Sequence, residues 1–130
     1  IENRVKFLGQ LDRKQLWEHL SRSHLFIMHS RAFEDDIESF GIVYMEAQLF
    51  ELPCIGTDYG GIPEAIATDE GGILVENEHV EKLIEAIKLM YENQEYRKKT
   101  SVKSKEYVLT YFSQNKRLDE TKKLFNNLLD

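Results

Sequence analysis

The sequence has little of what several large protein classes require. It has one cysteine, Cys54, among 130 residues. That excludes a disulfide framework and a cysteine-based zinc site, and it fits a reducing, cytoplasmic setting. No apolar run approaches the roughly 18 residues needed to span a bilayer. No positively charged leader with an apolar stretch stands at the start. Positive charge is also short: 17 Lys and Arg stand against 23 Asp and Glu, a net charge of −6. A nucleic-acid binder would need a basic footprint, so that class is disfavoured. With hydrophobic residues at 42% the chain is not disordered. Its length suits one ordinary domain with a real core. It opens on Ile1 rather than Met, which suggests a piece of a longer protein.

Charge is unevenly spread. Residues 1–93 carry 8 basic and 18 acidic side chains, and residues 94–130 carry 9 basic and 5 acidic. The basic end reads as helical, with Leu118, Leu124, Phe125, Leu128 and Leu129 on one stripe of its last helix. Such a surface suits a solvated helical face, and equally a weak attraction to an anionic membrane surface.

Elements alternate along the chain. Val5-Lys6-Phe7-Leu8 is β-rich and predicts a strand ending at Gly9. Asp12 predicts an N-cap for a helix over residues 13–22, with Leu16, Trp17 and Leu20 inward. Residues 25–28 and 53–57 are short apolar runs that read as buried strands, and a polar, acidic loop over residues 30–38 follows the first of them. Residues 41–50 read as a helix despite the β-branched pair Ile42 and Val43. Gly60-Gly61-Ile62-Pro63-Glu64 predicts a turn into a short helix, and Gly71-Gly72-Ile73-Leu74-Val75 a turn and strand. Residues 80–92, 94–111 and 115–129 predict three more helices, the first with Leu83, Ile84, Ile87, Leu89, Met90 and Tyr91 as core candidates. The order implies an α/β fold: a parallel, Rossmann-like sheet with helices on both faces. Ligands of such sheets sit at the carboxyl ends of strands, so the loops 9–12, 30–40 and 58–61 should line one crevice.

The most informative stretch is Glu38-Ser39-Phe40-Gly41-Ile42-Val43-Tyr44-Met45-Glu46-Ala47. Glu38 precedes the helix and Glu46 lies within it. Ser39 can cap, and Gly41 admits a ligand close to the backbone. The amides of Phe40, Gly41 and Ile42, with the helix dipole, suit a diphosphate. Carboxylates at either flank would repel phosphate but accept hydrogen bonds from hydroxyls, and a 1,2-diol suits one well. A diphosphate with hydroxylated groups at both ends describes a nucleotide-sugar. The pair of glutamates alone is weak evidence, since surface glutamates at such spacing are common.

The ordered set of motifs is more specific. Arg4-Val5-Lys6-Phe7-Leu8-Gly9, residues 23–30, Glu38-Ser39-Phe40-Gly41 with Glu46-Ala47, residues 52–58, Gly60-Gly61-Ile62-Pro63-Glu64 and residues 71–75 occur in series. The chain thereby resembles the C-terminal domain of retaining GT-B glycosyltransferases of glycosyltransferase family 4, the glycosyl transferases group 1. The resemblance implies that residues 1–130 are a nucleotide-sugar donor-binding domain, lacking its first strands and the N-terminal acceptor domain. It implies transfer of a sugar from a nucleoside-diphosphate donor to an acceptor hydroxyl, without metal or other cofactor, most often in polysaccharide or glycolipid assembly. Glu46 would hold the ribose hydroxyls. Glu38 would touch and orient the donor sugar, the catalytic part, though not as a nucleophile. Phe40, Gly41, Ile42 and Val43 would surround the diphosphate and sugar, and Gly9, Leu11 and Arg13 would lie toward the base. The partners implied are the donor, the missing N-terminal domain and a peripheral membrane contact, with no nucleic acid. The family's cationic clamp belongs to a motif upstream of Ile1, so the chain alone should bind donor weakly and not turn over. Leu52 stands where the family usually carries glycine.

Other residues have simpler uses. Glu34, Asp35, Asp36 and Glu38 offer oxygen ligands for a hard cation, but charge favourable to a helix N-terminus explains them. His29, at a strand end, faces the expected crevice and is either a donor contact or a structural imidazole. Cys54 reads as an inert core thiol, and Trp17 as core rather than a stacking platform. Two rival readings remain: a non-catalytic nucleotide-sugar-binding or partner module of the same fold, and a GT-B epimerase, which would not share the stretch from Glu38 to Ala47.

Overall fold

The computed structural model describes residues 2–30, 40–66, 68 and 71–129. After a 3-10 turn at Glu2–Arg4 come helix α1 (Arg13–Arg22), strand β1 (Phe26–Met28), α2 (Ile42–Leu49), β2 (Cys54–Thr57), α3 (Ile62–Ala65), β3 (Gly72–Val75), α4 (Val80–Glu92), α5 (Gln94–Tyr111) and α6 (Gln114–Leu129). The strands form one parallel sheet in the order β1-β2-β3. Phe26 stands opposite Cys54 and Cys54 opposite Gly72, so each row of the sheet presents one face.

The two faces carry separate cores. Cys54, with Phe26, Met28 and Leu74 beside it, packs against Leu20 of α1, Tyr44 and Ala47 of α2, and Ile62 and Ala65 of α3. Ile55 and Val75 pack against Ala86 and Met90 of α4, with Leu25, Ile73, Leu83 and Ile87 around them. A parallel sheet covered on both faces is the α/β architecture expected. Helix α5 closes the assembly by packing against both α2 and α4. Its small buried side chains, Thr100 and Ser104, allow that approach, and the Ser104 hydroxyl donates to the Gly71 carbonyl.

Local chemistry accounts for the helix ends. Asp12 caps α1 in a full capping box: it accepts from the Gln15 amide at 2.8 Å, and Gln15 accepts from the Asp12 amide at 3.0 Å. Asn93 ends α4 and caps α5 through the Tyr96 amide. Phe112 and Ser113 separate α5 from α6 as the spacing predicts.

Three expectations need correction. Residues 5–8 form no strand: they are irregular and exposed, Phe7 almost completely. A short β-rich run is held by ladder bonds to a neighbour rather than by propensity. No strand pairs with the outer edge of β1 among the described residues. On α4, Ile84, Leu89 and Tyr91 are exposed and the core stripe is Leu83, Ala86, Ile87 and Met90, because only one face of the helix meets the sheet. Trp17 is not core. The residue is 44% exposed, since α1 buries chiefly Leu20 and half of Leu16.

Glu51, just past the end of α2, holds a left-handed backbone with φ of 60°. Leu52 is buried.

Candidate functional site

Helix α2 positions the candidate site. Its inward stripe is Tyr44, Ala47 and Gln48, all fully buried. Its outward stripe is Ile42, Met45, Glu46 and Leu49, the spacing that places side chains on one helix face. The helix has poor intrinsic propensity at Ile42 and Val43, so burial rather than propensity holds it. The Gln48 amide fixes its inner side, donating to the Ala65 carbonyl at 2.6 Å and to Tyr44 O at 3.1 Å.

The N-terminus of α2 begins at Gly41, whose φ is 70° and which offers no side-chain cap. A side chain at Gly41 would meet the Tyr44 ring at 2.6 Å, so glycine is required by both conformation and space. Among the described residues no side chain caps the first amides of the helix, which stand at the positive end of the dipole. The Ser39 cap and the Glu38 carboxylate expected from the sequence lie outside the described residues, as do Glu34, Asp35 and Asp36.

The outward stripe of α2 lines a cavity of about 810 Å³. Arg13 and Trp17 of α1 form one wall, and residues from the end of α5 and the start of α6 form another. Its volume is of ligand-binding size. Most of the lining is apolar: Phe40, Ile42, Met45, Leu49, Phe50 and Phe112 contribute. Charge collects in two places, at Arg13 with Glu46 and at Arg117 with Glu120.

Arg13 Nη2 donates to Glu46 Oε1 at 2.9 Å. The Glu46 side chain is 20% exposed and that of Arg13 72%, so the pair is worth at most about 1 kcal/mol. Its use is geometric. The pair ties α1 to α2 and orients one carboxylate oxygen, while an ionised carboxylate has acceptor sites left for hydroxyls. The Arg13 guanidinium also lies 5.4 Å from the centre of the Trp17 ring.

The sequence-predicted residues therefore divide. Arg13, Phe40, Ile42 and Glu46 meet around one cavity. Gly41 is buried beneath the helix start and Val43 is half-buried. Gly9 is exposed with open space around it, and Leu11 is half-buried; neither lines the cavity. His29 follows β1, and its Nε2 is buried with no hydrogen-bond partner among the described residues. The ends of β1 and β2 are joined beside it, where Thr57 Oγ1 donates to the Ser30 carbonyl at 3.0 Å. Cys54 is fully buried and desolvation pushes its thiol pKa far up, which keeps it protonated and inert.

Nine of the lining residues escaped the sequence reading of the site, Trp17 and Arg117 among them. Trp17 shares α1 with Arg13 at i, i+4 spacing, which was the available signal. Arg117 reads as part of a solvated basic face, and nothing local marks it as a cavity wall.

The family described as "Glycosyl transferases group 1" matches residues 1–107. The chain is 37% identical over 89 residues to the GDP-mannose-dependent monoacylated alpha-(1-6)-phosphatidylinositol monomannoside mannosyltransferase of Corynebacterium glutamicum, covering 67% of this chain and 23% of that protein. It is 31% identical over 129 residues to N-acetyl-alpha-D-glucosaminyl L-malate synthase of Bacillus anthracis, covering 99% of this chain and 32% of that one. The chain thus spans about a quarter to a third of the length of these relatives. Its fold superposes on HepE of Anabaena, solved in complex with UDP-glucose, with a TM-score of 0.78 and 25% identity over 94% of this chain and 33% of that one.

Proposed function

Because this chain belongs to the glycosyl transferases group 1 and has the fold of a GT-B glycosyltransferase C-terminal domain, we propose that residues 1–130 form the donor-binding part of an enzyme that moves a sugar from a nucleoside-diphosphate sugar to an acceptor hydroxyl. The observation that carries the reading is the placement of Glu46. Its carboxylate is part-buried at a cavity edge, oriented by Arg13, and one helical turn past the N-terminus of α2 that starts at Gly41.

In this reading the Glu46 carboxylate accepts hydrogen bonds from the ribose diol. The first amides of α2 meet the diphosphate, aided by Phe40, Gly41, Ile42 and Val43. Arg13 and Leu11 lie toward the base, with Gly9 in the loop before them. Glu38 orients the donor sugar. Charge grows on the departing diphosphate during transfer, and fixed amides with a helix dipole stabilise that charge without reorganising. This supports departure without a metal; the proposed transfer is a front-side attack guided by the departing phosphate, with retention at the anomeric carbon. The setting is polysaccharide or glycolipid assembly, and the phosphatidylinositol in one relative's name supports a lipid acceptor. Helix α6 exposes Leu118, Leu124, Phe125 and Leu128 beside Lys122 and Arg117, which supports a weak peripheral contact with an anionic membrane. None of the described helices is long and apolar enough to cross a membrane.

The test is a titration with UDP, GDP and ADP, with and without Mg²⁺, followed by amide shifts in NMR, which detects millimolar binding of about 4 kcal/mol. One nucleotide should shift Gly41, Ile42 and Glu46 equally well without Mg²⁺, and Glu46→Ala should weaken it at least tenfold. Shifts that survive Glu46→Ala, or that appear only with Mg²⁺, would count against the assignment.

A further inference from the structure

We infer that Tyr44 is a positioning residue of the donor site: it sets where the N-terminus of α2 stands relative to the strand ends, and so how well the helix amides meet a diphosphate. The inference rests on the donor reading above and assigns Tyr44 no contact with substrate.

Five observations converge on this one side chain. Tyr44 lies in the first turn of α2 and is fully buried. Its hydroxyl donates to the carbonyl of Met28, the last residue of β1, at 2.5 Å. The ring lies directly beneath Gly41, where an added Cβ would sit 2.6 Å from Cδ2 and 2.9 Å from Cε2. The same hydroxyl stands 2.9 Å from where a Cβ on Gly56 of β2 would be. Phe26 of β1 holds the ring edge-on, with centroids 5.5 Å apart and planes at 86°. The side chain therefore touches the helix start, the end of β1 and the middle of β2 together.

That arrangement does more than fill space. A phenylalanine would fill the same volume, whereas a buried phenol must find a partner. Here the partner is the carbonyl at the end of β1, where ligands of parallel sheets bind. The ring also gives Gly41 its floor, so the left-handed turn that starts the helix rests on the atoms that reach Met28. A shift of the ring moves the amides as a unit. Misplacement of oriented donors by a fraction of an ångström weakens their hold on an anion, and it does so without touching the base or ribose.

The experiment separates phosphate from the rest of the ligand. By NMR, the wild-type chain, Tyr44→Phe and Glu46→Ala are titrated with whichever of UDP, GDP and ADP the wild type binds, and then with the matching nucleoside. Tyr44→Phe should lose five- to tenfold in affinity for the diphosphate while its nucleoside affinity changes less than twofold. Glu46→Ala should weaken both. Equal losses of diphosphate and nucleoside in Tyr44→Phe, or no loss of either, would overturn the inference while leaving the donor reading intact. Absence of binding by the wild type would end the donor reading and this inference with it. If Tyr44→Phe does not give a dispersed spectrum, Phe26→Leu takes its place, removing the ring's edge partner but keeping the hydroxyl. The same selective loss supports the inference, and a uniform loss overturns it.

Discussion

Helices α2 and α6 are built on opposite terms. Helix α2 has eight residues, starts with two β-branched side chains and has no side-chain cap among the described residues, yet Tyr44, Ala47 and Gln48 are fully buried. Helix α6 has 16 residues and a clear apolar stripe, yet Leu118, Leu124, Phe125 and Leu128 all stand about half exposed or more. The difference teaches that periodicity marks the face on which a helix wants a partner, whereas burial reports whether that partner is present. Helix α2 owes its existence to the sheet and to α5. Helix α6 follows from local sequence and touches the rest mainly along α5.

The sharpest way to break this comparison is to put the same charge into both helices. Ala47→Asp places a carboxylate at a fully buried position between α2 and β2. An unpaired buried charge costs about 3–5 kcal/mol, a large part of the stability of a domain this size. Urea unfolding should show the midpoint collapsing or the folded baseline vanishing. Leu124→Asp, at a position 60% exposed, should change stability by less than about 1 kcal/mol. Comparable losses in the two variants would mean that α6 is an integral part of the fold.

The same contrast explains what could be read from the sequence. The boundaries of α1, α4 and α5 were legible because a capping aspartate, 3.6-residue periodicity and the Asn93 break are local signals. The three paired strands were legible as short apolar runs between turns. The supposed strand at residues 5–8 carried an equally good pattern and failed, because pairing is a property of two segments and only one is in view. Trp17 misled for a related reason: helical spacing says that a side chain shares a face with Leu20, not that the face is covered at both ends. In the candidate site, Glu46, Phe40, Ile42 and Arg13 were legible through the ordered motifs, and the structure gathers them at one cavity. The Arg13–Glu46 ion pair and the Tyr44 contacts were not, since they depend on the distance between elements far apart in the chain.

A smaller effect tests the end of α2. Glu51 adopts φ of 60°, a conformation that costs a non-glycine residue about 1 kcal/mol. It also pairs with Lys105 at 2.7 Å, but both side chains are about half exposed, so the pair returns only a few tenths of a kcal/mol. Glu51→Gly should therefore stabilise the chain by about 0.5 kcal/mol, raising Tm by about 2 °C in a thermal melt. A lower Tm would show that the tie from α5 to the end of α2 outweighs the backbone strain.

The smallest effect on stability belongs to the far side of α6. Phe125 and Leu128 are 60% and 72% exposed, so serine at both removes little apolar area that folding has buried. The urea midpoint should move by no more than about 0.5 kcal/mol equivalent. The same double substitution should matter more outside the fold. If the stripe lies against an anionic membrane, sedimentation with phosphatidylglycerol-containing vesicles should fall in the double variant, and added salt should weaken the wild type's binding as the basic flank is screened. A stability loss of 2 kcal/mol or more would show instead that the stripe already packs within the domain, and the distinction between α2 and α6 would fail.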